Sequence, residues 1–163
     1  MLPDQGSGGR PDRHLEPNTP FQRRTLHHVA PAWVQSGEDF FITVCCERRD
    51  ENQLCTPSVG GSLIASALNY HERSRWYVSL LVLMPDHFHA ILSFPSEEKL
   101  SELIRNWKSY TSRQLGITWQ RNFFEHRVRG SEEFRLKADY IRQNPVRKGL
   151  IDDPRKWPYL LEH

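Results

Sequence analysis

Apolar residues along this chain fall into short blocks whose spacing switches between the strand and helix periods. Phe40-Phe-Ile-Thr-Val-Cys-Cys, Trp76 to Met84 and His87 to Phe94 are brief runs rich in β-branched and aromatic residues, as strands are. They predict a first strand over residues 39–47 and a hairpin in the sheet centre, turned at Pro85-Asp86. A helix is expected over 57–74, although Gly60 and Gly61 blur its start. From Glu97 to Leu115, Leu100, Leu103, Ile104 and Trp107 recur at helical spacing, and Gly116 supplies the stop. Phe123 to Val128 reads as a last short strand. A final helix would take Ser131 as its N-cap and carry Glu132 and Glu133 in the first turn, where the helix dipole favours acids. Phe134, Ala138 and Ile141 form its core stripe, with Pro145 and Gly149 as stop signals.

Strands and helices alternate without tandem βαβ units or internal repeats, which predicts an α+β sandwich on a central antiparallel sheet, with helices on one face. Residues 1–36 are rich in Pro, Gly, Arg and His and lack apolar periodicity, so they are expected to be a flexible basic arm, with Phe21 to Trp33 as a short ordered stretch. Residues 37–163 would be one domain. No run is long and apolar enough to span a bilayer and no signal-peptide core opens the chain, so a cytoplasmic protein with no membrane partner is expected. The three cysteines, Cys45, Cys46 and Cys55, lack zinc-site spacing and are expected to be free thiols.

The net charge of +2 hides an imbalance: residues 100–163 hold 13 Lys or Arg against 8 Asp or Glu, and residues 1–99 hold 9 against 12. In the basic half, Arg105, Lys108, Arg113, Arg127, Lys137, Arg142 and Arg147 could follow a phosphate backbone, and Trp107, Tyr110, Trp119, Phe123 and Phe124 could offer stacking surfaces. A solvated charged surface over an aromatic core is the alternative.

Within this frame two elements carry chemistry. His87 and His89 flank Phe88 on a strand, so their side chains leave the same face while Phe88 and Ala90 leave the other. Such a pair can hold a metal ion from two sides, or be half-buried strand histidines. On the last helix Tyr140 and Asn144 are one turn apart, with Lys137 on the same stripe. Tyr140 falls beside the core stripe, where it is either a core-edge phenol or a nucleophile.

The Met84-Pro-Asp-His-Phe-His-Ala-Ile-Leu block resembles the HUH motif of single-tyrosine transposases, in which U is a large hydrophobe. Tyr140-Ile-Arg-Gln-Asn-Pro-Val-Arg-Lys-Gly-Leu is similar to the signature of REP-associated tyrosine transposases, the domesticated branch of the IS200/IS605 group. Phe40-Phe-Ile-Thr-Val-Cys-Cys-Glu-Arg-Arg resembles that family's first strand, and Trp119-Gln-Arg-Asn-Phe-Phe-Glu-His-Arg-Val-Arg the segment before its tyrosine helix. The resemblance runs over residues 38–151.

It implies a ferredoxin-like, RRM-like fold and a metal-dependent single-stranded DNA endonuclease and strand transferase. Tyr140 would form a covalent 5′-phosphotyrosine at hairpin or palindromic DNA. His87 and His89 would hold Mg²⁺ or Mn²⁺, and Asn144, in the position of the family's polar third ligand, would complete the site or cap its helix. Glu125 and His126 are alternative ligands. Asp86 would shape the turn or orient an imidazole; apart from the resemblance, helical spacing lets Lys137 lower the phenol's pKa if close, or be a solvated lysine. A histidine-triad hydrolase is disfavoured because Ile91 stands where a third histidine belongs. A non-catalytic protein recognising repetitive palindromes is the rival. The family allows a monomer or a homodimer exchanging the tyrosine helix through residues 128–132, and a monomer is favoured.

Overall fold

The computed structural model describes residues 30–163. Residues 1–29, and with them most of the expected arm and of the Phe21 to Trp33 stretch, lie outside the described residues. A short helix α1 (Ala32–Ser36) leads into β1 (Asp39–Cys45), α2 (Pro57–Glu72), the hairpin of β2 (Tyr77–Met84) and β3 (His87–Ser93), α3 (Leu100–Leu115), β4 (Phe124–Val128), α4 (Gly130–Arg147) and β5 (Leu160–Glu162). The sheet is antiparallel in order β4-β1-β3-β2-β5. Its first four strands and the crossover helices α2 and α3 make the expected ferredoxin-like arrangement.

The hairpin lies at the sheet centre because β2 and β3 are apolar on both faces, and Val78 to Met84 and Phe88 to Ser93 are almost wholly buried. One face carries Phe88, whose ring meets Trp107 of α3 edge-on at 5.3 Å and Trp119 at 5.9 Å. Trp76, 6.0 Å from Trp107, donates its indole N–H to the Ala67 carbonyl of α2. Trp107 and Trp119, counted as possible stacking surfaces in the sequence, are therefore core residues, 0% and 8% exposed. The opposite face carries His87 and His89 and is covered by α4, which lays Ala138, Ile141 and Pro145 against it.

Several boundaries differ from the sequence pattern for local reasons. β1 ends at Cys45; Cys46 makes one bridge to Trp119 and donates its N–H to the Asp86 carbonyl. α3 starts at Leu100 rather than Glu97, and Gly116 ends it in the left-handed region at φ +70°. α4 is capped by Arg129, not Ser131: Gly130, at φ +75°, turns the chain into the helix, and the Glu133 carboxylate reaches back to the Arg129 N–H at 2.6 Å. Pro145 sits inside α4 instead of stopping it, and the helix closes at Arg147 ahead of Gly149 at φ +67°. β4 is not the last strand, because β5 pairs with β2, Leu160 opposite Val82. In α2 a Cβ on Gly60 would stand 2.4 Å from the Tyr159 ring, so only glycine lets the chain after α4 pack there. All three cysteines are free thiols; burial raises Cys46 and Cys55 to about 12.

Candidate functional site

The two histidines are oriented by different partners. Asp86, in the tight β2–β3 turn, accepts from His87 Nδ1 at 2.7 Å through Oδ1. Through Oδ2 it accepts from the Asp50 N–H at 2.7 Å and pairs with Arg49 Nε at 3.1 Å. One carboxylate thus ties the loop after β1 to the His87 ring, performing both roles weighed for it in the sequence. Burial works against its charge, yet the His87 and Asp50 bonds and the Arg49 guanidinium outweigh it and hold the carboxyl below its usual range. His89 Nδ1 is hydrogen-bonded to the Thr43 hydroxyl at 2.7 Å, Thr43 being its cross-strand neighbour on β1.

Both rings therefore engage protein through Nδ1 and present Nε2, with ring centroids 4.8 Å apart. Burial pushes the His89 pKa down to about 3, helped by His87 and Arg49. Burial also lowers His87, with Asp86 opposing it and Arg49 and Lys148 assisting. Two imidazoles that burial keeps neutral suit a cation better than a second proton.

α4 brings Tyr140 to this pair. Its ring stands edge-on to His89 at 5.4 Å and to Phe41 at 6.0 Å, and 38% of the residue is exposed. The phenol thus packs by its ring and keeps an open path to solvent. Asn144, one turn on, is 5% exposed. Lys148 near the end of α4 is close enough to act on His87. Asn144 stands on α4 between Tyr140, whose ring meets His89, and Lys148, whose charge acts on His87. No group of three or more His, Cys, Asp or Glu converges among the described residues, so a cation here would rest on two imidazoles, the amide and oxygens from outside the protein.

Other candidates separate. Glu125 faces the opposite side of the sheet, in a cavity shared with α3, and His126 is held by Glu133 at 2.6 Å; neither is brought to the histidine pair. Lys137 places its ammonium 5.0 Å over the Phe41 ring, and Arg147 its guanidinium 5.4 Å from the centre of the Tyr140 ring. These are the two basic candidates beside the tyrosine. Arg105 and Lys108 line the α3-side cavity, where Lys108 donates to the Gln120 and Arg121 carbonyls at 2.7 and 2.9 Å. Arg113 faces a groove between α2 and α3.

Arg127 is paired with Glu38 at 2.6 Å, and Arg142 with Asp139 at 3.0 Å and Glu162 at 3.0 Å from Nε, with a second bond from Nη2 to Glu162. The Arg142–Glu162 pair fastens the tyrosine helix to β5, a strand that its three-residue length kept from sequence analysis. Sequence reasoning also missed Thr43, whose role shows only once β1 is registered against β3.

Residues 40–144 match the model of the family described as Transposase IS200 like. The chain is 28% identical over 135 residues to the REP-associated tyrosine transposase of Escherichia coli (strain K12), covering 80% of this chain and 79% of that protein. Among solved structures, that of a REP-associated tyrosine transposase bound to a REP hairpin superposes with a TM-score of 0.67 at 27% identity, over 76% of each chain. A Deinococcus radiodurans protein shares the fold at 14% identity and a TM-score of 0.50, covering 76% of this chain and 97% of that one. No described helix is long and apolar enough to cross a membrane.

Proposed function

The chain belongs to the IS200-like transposase family, and on that premise we propose that it cuts and rejoins single-stranded DNA at hairpins of repetitive palindromes, with Tyr140 as nucleophile. The observation that carries this is the solvent-open Tyr140 ring set 5.4 Å from His89, beside a second imidazole that also presents Nε2. The hairpin substrate is taken from the relative solved with a REP hairpin. A DNA substrate fits the cytoplasmic location expected from the sequence.

A phenol has an ordinary pKa of about 10 and attacks poorly at neutral pH unless its developing charge is met. The phenolic oxygen bonds to phosphorus as the bond to the 3′ oxygen breaks. The phenol's proton goes to solvent, and the departing oxygen takes one up to become a 3′-hydroxyl. The 5′ side stays on Tyr140 as a phosphotyrosine until a 3′-hydroxyl reverses the step. One phosphodiester is exchanged for another, so neither water nor an energy source is consumed. His87, His89 and the Asn144 amide would hold Mg²⁺ or Mn²⁺, imidazole favouring Mn²⁺, and the ion would polarise the scissile phosphate and offset its gain of charge. Asp86 and Thr43 keep the imidazoles aimed, and Lys137 and Arg147 receive the neighbouring phosphates. Because Tyr140 meets His89 within one chain, a monomer suffices.

The test uses labelled single-stranded oligonucleotides from palindromes flanking the gene, incubated with Mn²⁺ or Mg²⁺ and analysed for a denaturant-resistant protein–DNA adduct. Wild type should form it, while Tyr140→Phe and His87→Ala/His89→Ala should not. Tight binding with no adduct from wild type under either metal would replace the proposal with a palindrome-binding protein that does not cut.

A further inference from the structure

The cavity beside Tyr140, about 540 Å³, has a wall that a phosphate and a cation leave unused. Among the large apolar side chains of the described residues, the two most exposed are Phe124 at 56% and Leu136 at 55%, and both line this cavity. Large apolar groups left open beside a site signal an apolar ligand part. Phe124 on β4 is the cross-strand partner of Thr43, which is the partner of His89, so the three side chains stand in one row on one face. Thr43 is short and its hydroxyl is turned to His89 Nδ1, leaving a gap between ring and imidazole. Phe124 is steadied edge-on by Phe41 at 6.2 Å. Leu136 sits one turn before Tyr140 on the same side of α4.

We propose that Phe124 and Leu136 seat the unpaired nucleobase that flanks the scissile phosphate, its face stacked on the Phe124 ring and its edge against Leu136. The inference rests on the strand-cutting role of Tyr140. A strand with a phosphate at Tyr140 must place a nucleoside within one nucleotide of it, and this wall is the apolar surface in that reach. The charges agree with a nucleic acid. Lys137 lines the same cavity, and its one acid, Glu133, is already engaged by the Arg129 N–H and His126. Every base has a π-face, so the seat accepts any base and favours the larger purines.

The experiment carries an abasic site through the nucleotides on either side of the cleavage point, with wild type, Phe124→Ala, Phe124→Trp and Leu136→Ser. One abasic position should slow adduct formation by wild type roughly 5- to 150-fold, the range for loss of one base–aromatic stack. Phe124→Ala should show a comparable loss on intact DNA and little further loss on the abasic strand, Leu136→Ser a smaller loss, and Phe124→Trp near wild-type rates. In the non-cutting Tyr140→Phe protein, 2-aminopurine at that position should be quenched on binding, and the quenching should vanish when Phe124→Ala is added. Full adduct rates in Phe124→Ala, or losses that multiply between protein and DNA changes, would overturn the seat while leaving Tyr140 as nucleophile. A wild type that forms no adduct removes the nucleophile, and unquenched 2-aminopurine then removes the seat on its own evidence.

Discussion

The two faces of β3 meet opposite surroundings. Toward α2 and α3, Phe88, Ala90 and Leu92 are all buried, and the Trp76, Trp107 and Trp119 rings close around them. Toward α4, His87 and His89 stand beside a half-open tyrosine, a buried amide and an exposed phenylalanine. A period of two residues lets one seven-residue strand hold the core together on one side and present polar groups on the other. Stability and chemistry are thereby assigned to alternate positions, so a change at one position should leave the other quantity nearly untouched.

The strongest way to break that division is Phe88→Ala. It empties the space between Trp107 and Trp119 and should cost about 3–5 kcal/mol in urea unfolding. Tyr140→Phe on the opposite face should move stability by no more than about 0.5 kcal/mol while abolishing the adduct. Equal destabilisation by both would show that the faces are not separate.

A smaller effect follows from the neutral His89. The unfolded chain takes up a proton near pH 6.5, but folded His89 resists it until about 3, so the unfolded state binds more protons and stability falls as pH drops through that window. Each unit below about 6.5 should cost about 1.4 kcal/mol. The fall in unfolding free energy from pH 6.5 to 5, read by urea titration, should be about 2 kcal/mol larger for wild type than for His89→Gln. Parallel curves would mean that the imidazole is already charged or exposed.

Asp86→Asn sharpens the comparison within the chemical face. It keeps the shape but removes the charge behind His87, and should weaken Mn²⁺ binding about 10- to 100-fold, read by electron paramagnetic resonance titration. The smallest effect belongs to the Arg142–Glu162 pair. These side chains are partly exposed, and a double-mutant cycle with alanine should return a coupling of about 0.5–1 kcal/mol in thermal unfolding. A DNA-contact role for Arg142 would instead appear as salt-dependent loss of oligonucleotide binding with no coupling to Glu162.

Sequence pattern reached the hairpin, the register-sensitive histidines and the tyrosine helix because each depends on spacing within a few residues. It failed where a side chain's fate depends on distant chain. Trp107 and Trp119 look the same in sequence whether they stack on a ligand or on Phe88. Arg142 and Glu162 are 20 residues apart, and β5 is three residues paired across about half the chain, so neither leaves a local signal. Ser131 lost the cap because Gly130 can enter the left-handed region and begin the helix two residues earlier. Asp86, next to His87, was within reach of the sequence, but the alternation that placed both histidines on one face could not say that Thr43 would hold the His89 Nδ1 atom, because that requires the register of β1.

Among the described strands β5, three residues long beside β2, makes one margin of the sheet, and β4 beside β1 makes the other. That margin is five residues long, with Glu125 and Arg127 exposed along it and Arg127 already paired to Glu38. Brevity and charge make it a poor template for another strand. The molecule can therefore keep an uncovered phenylalanine beside its tyrosine without that ring seeding the growth of sheets from one copy to the next.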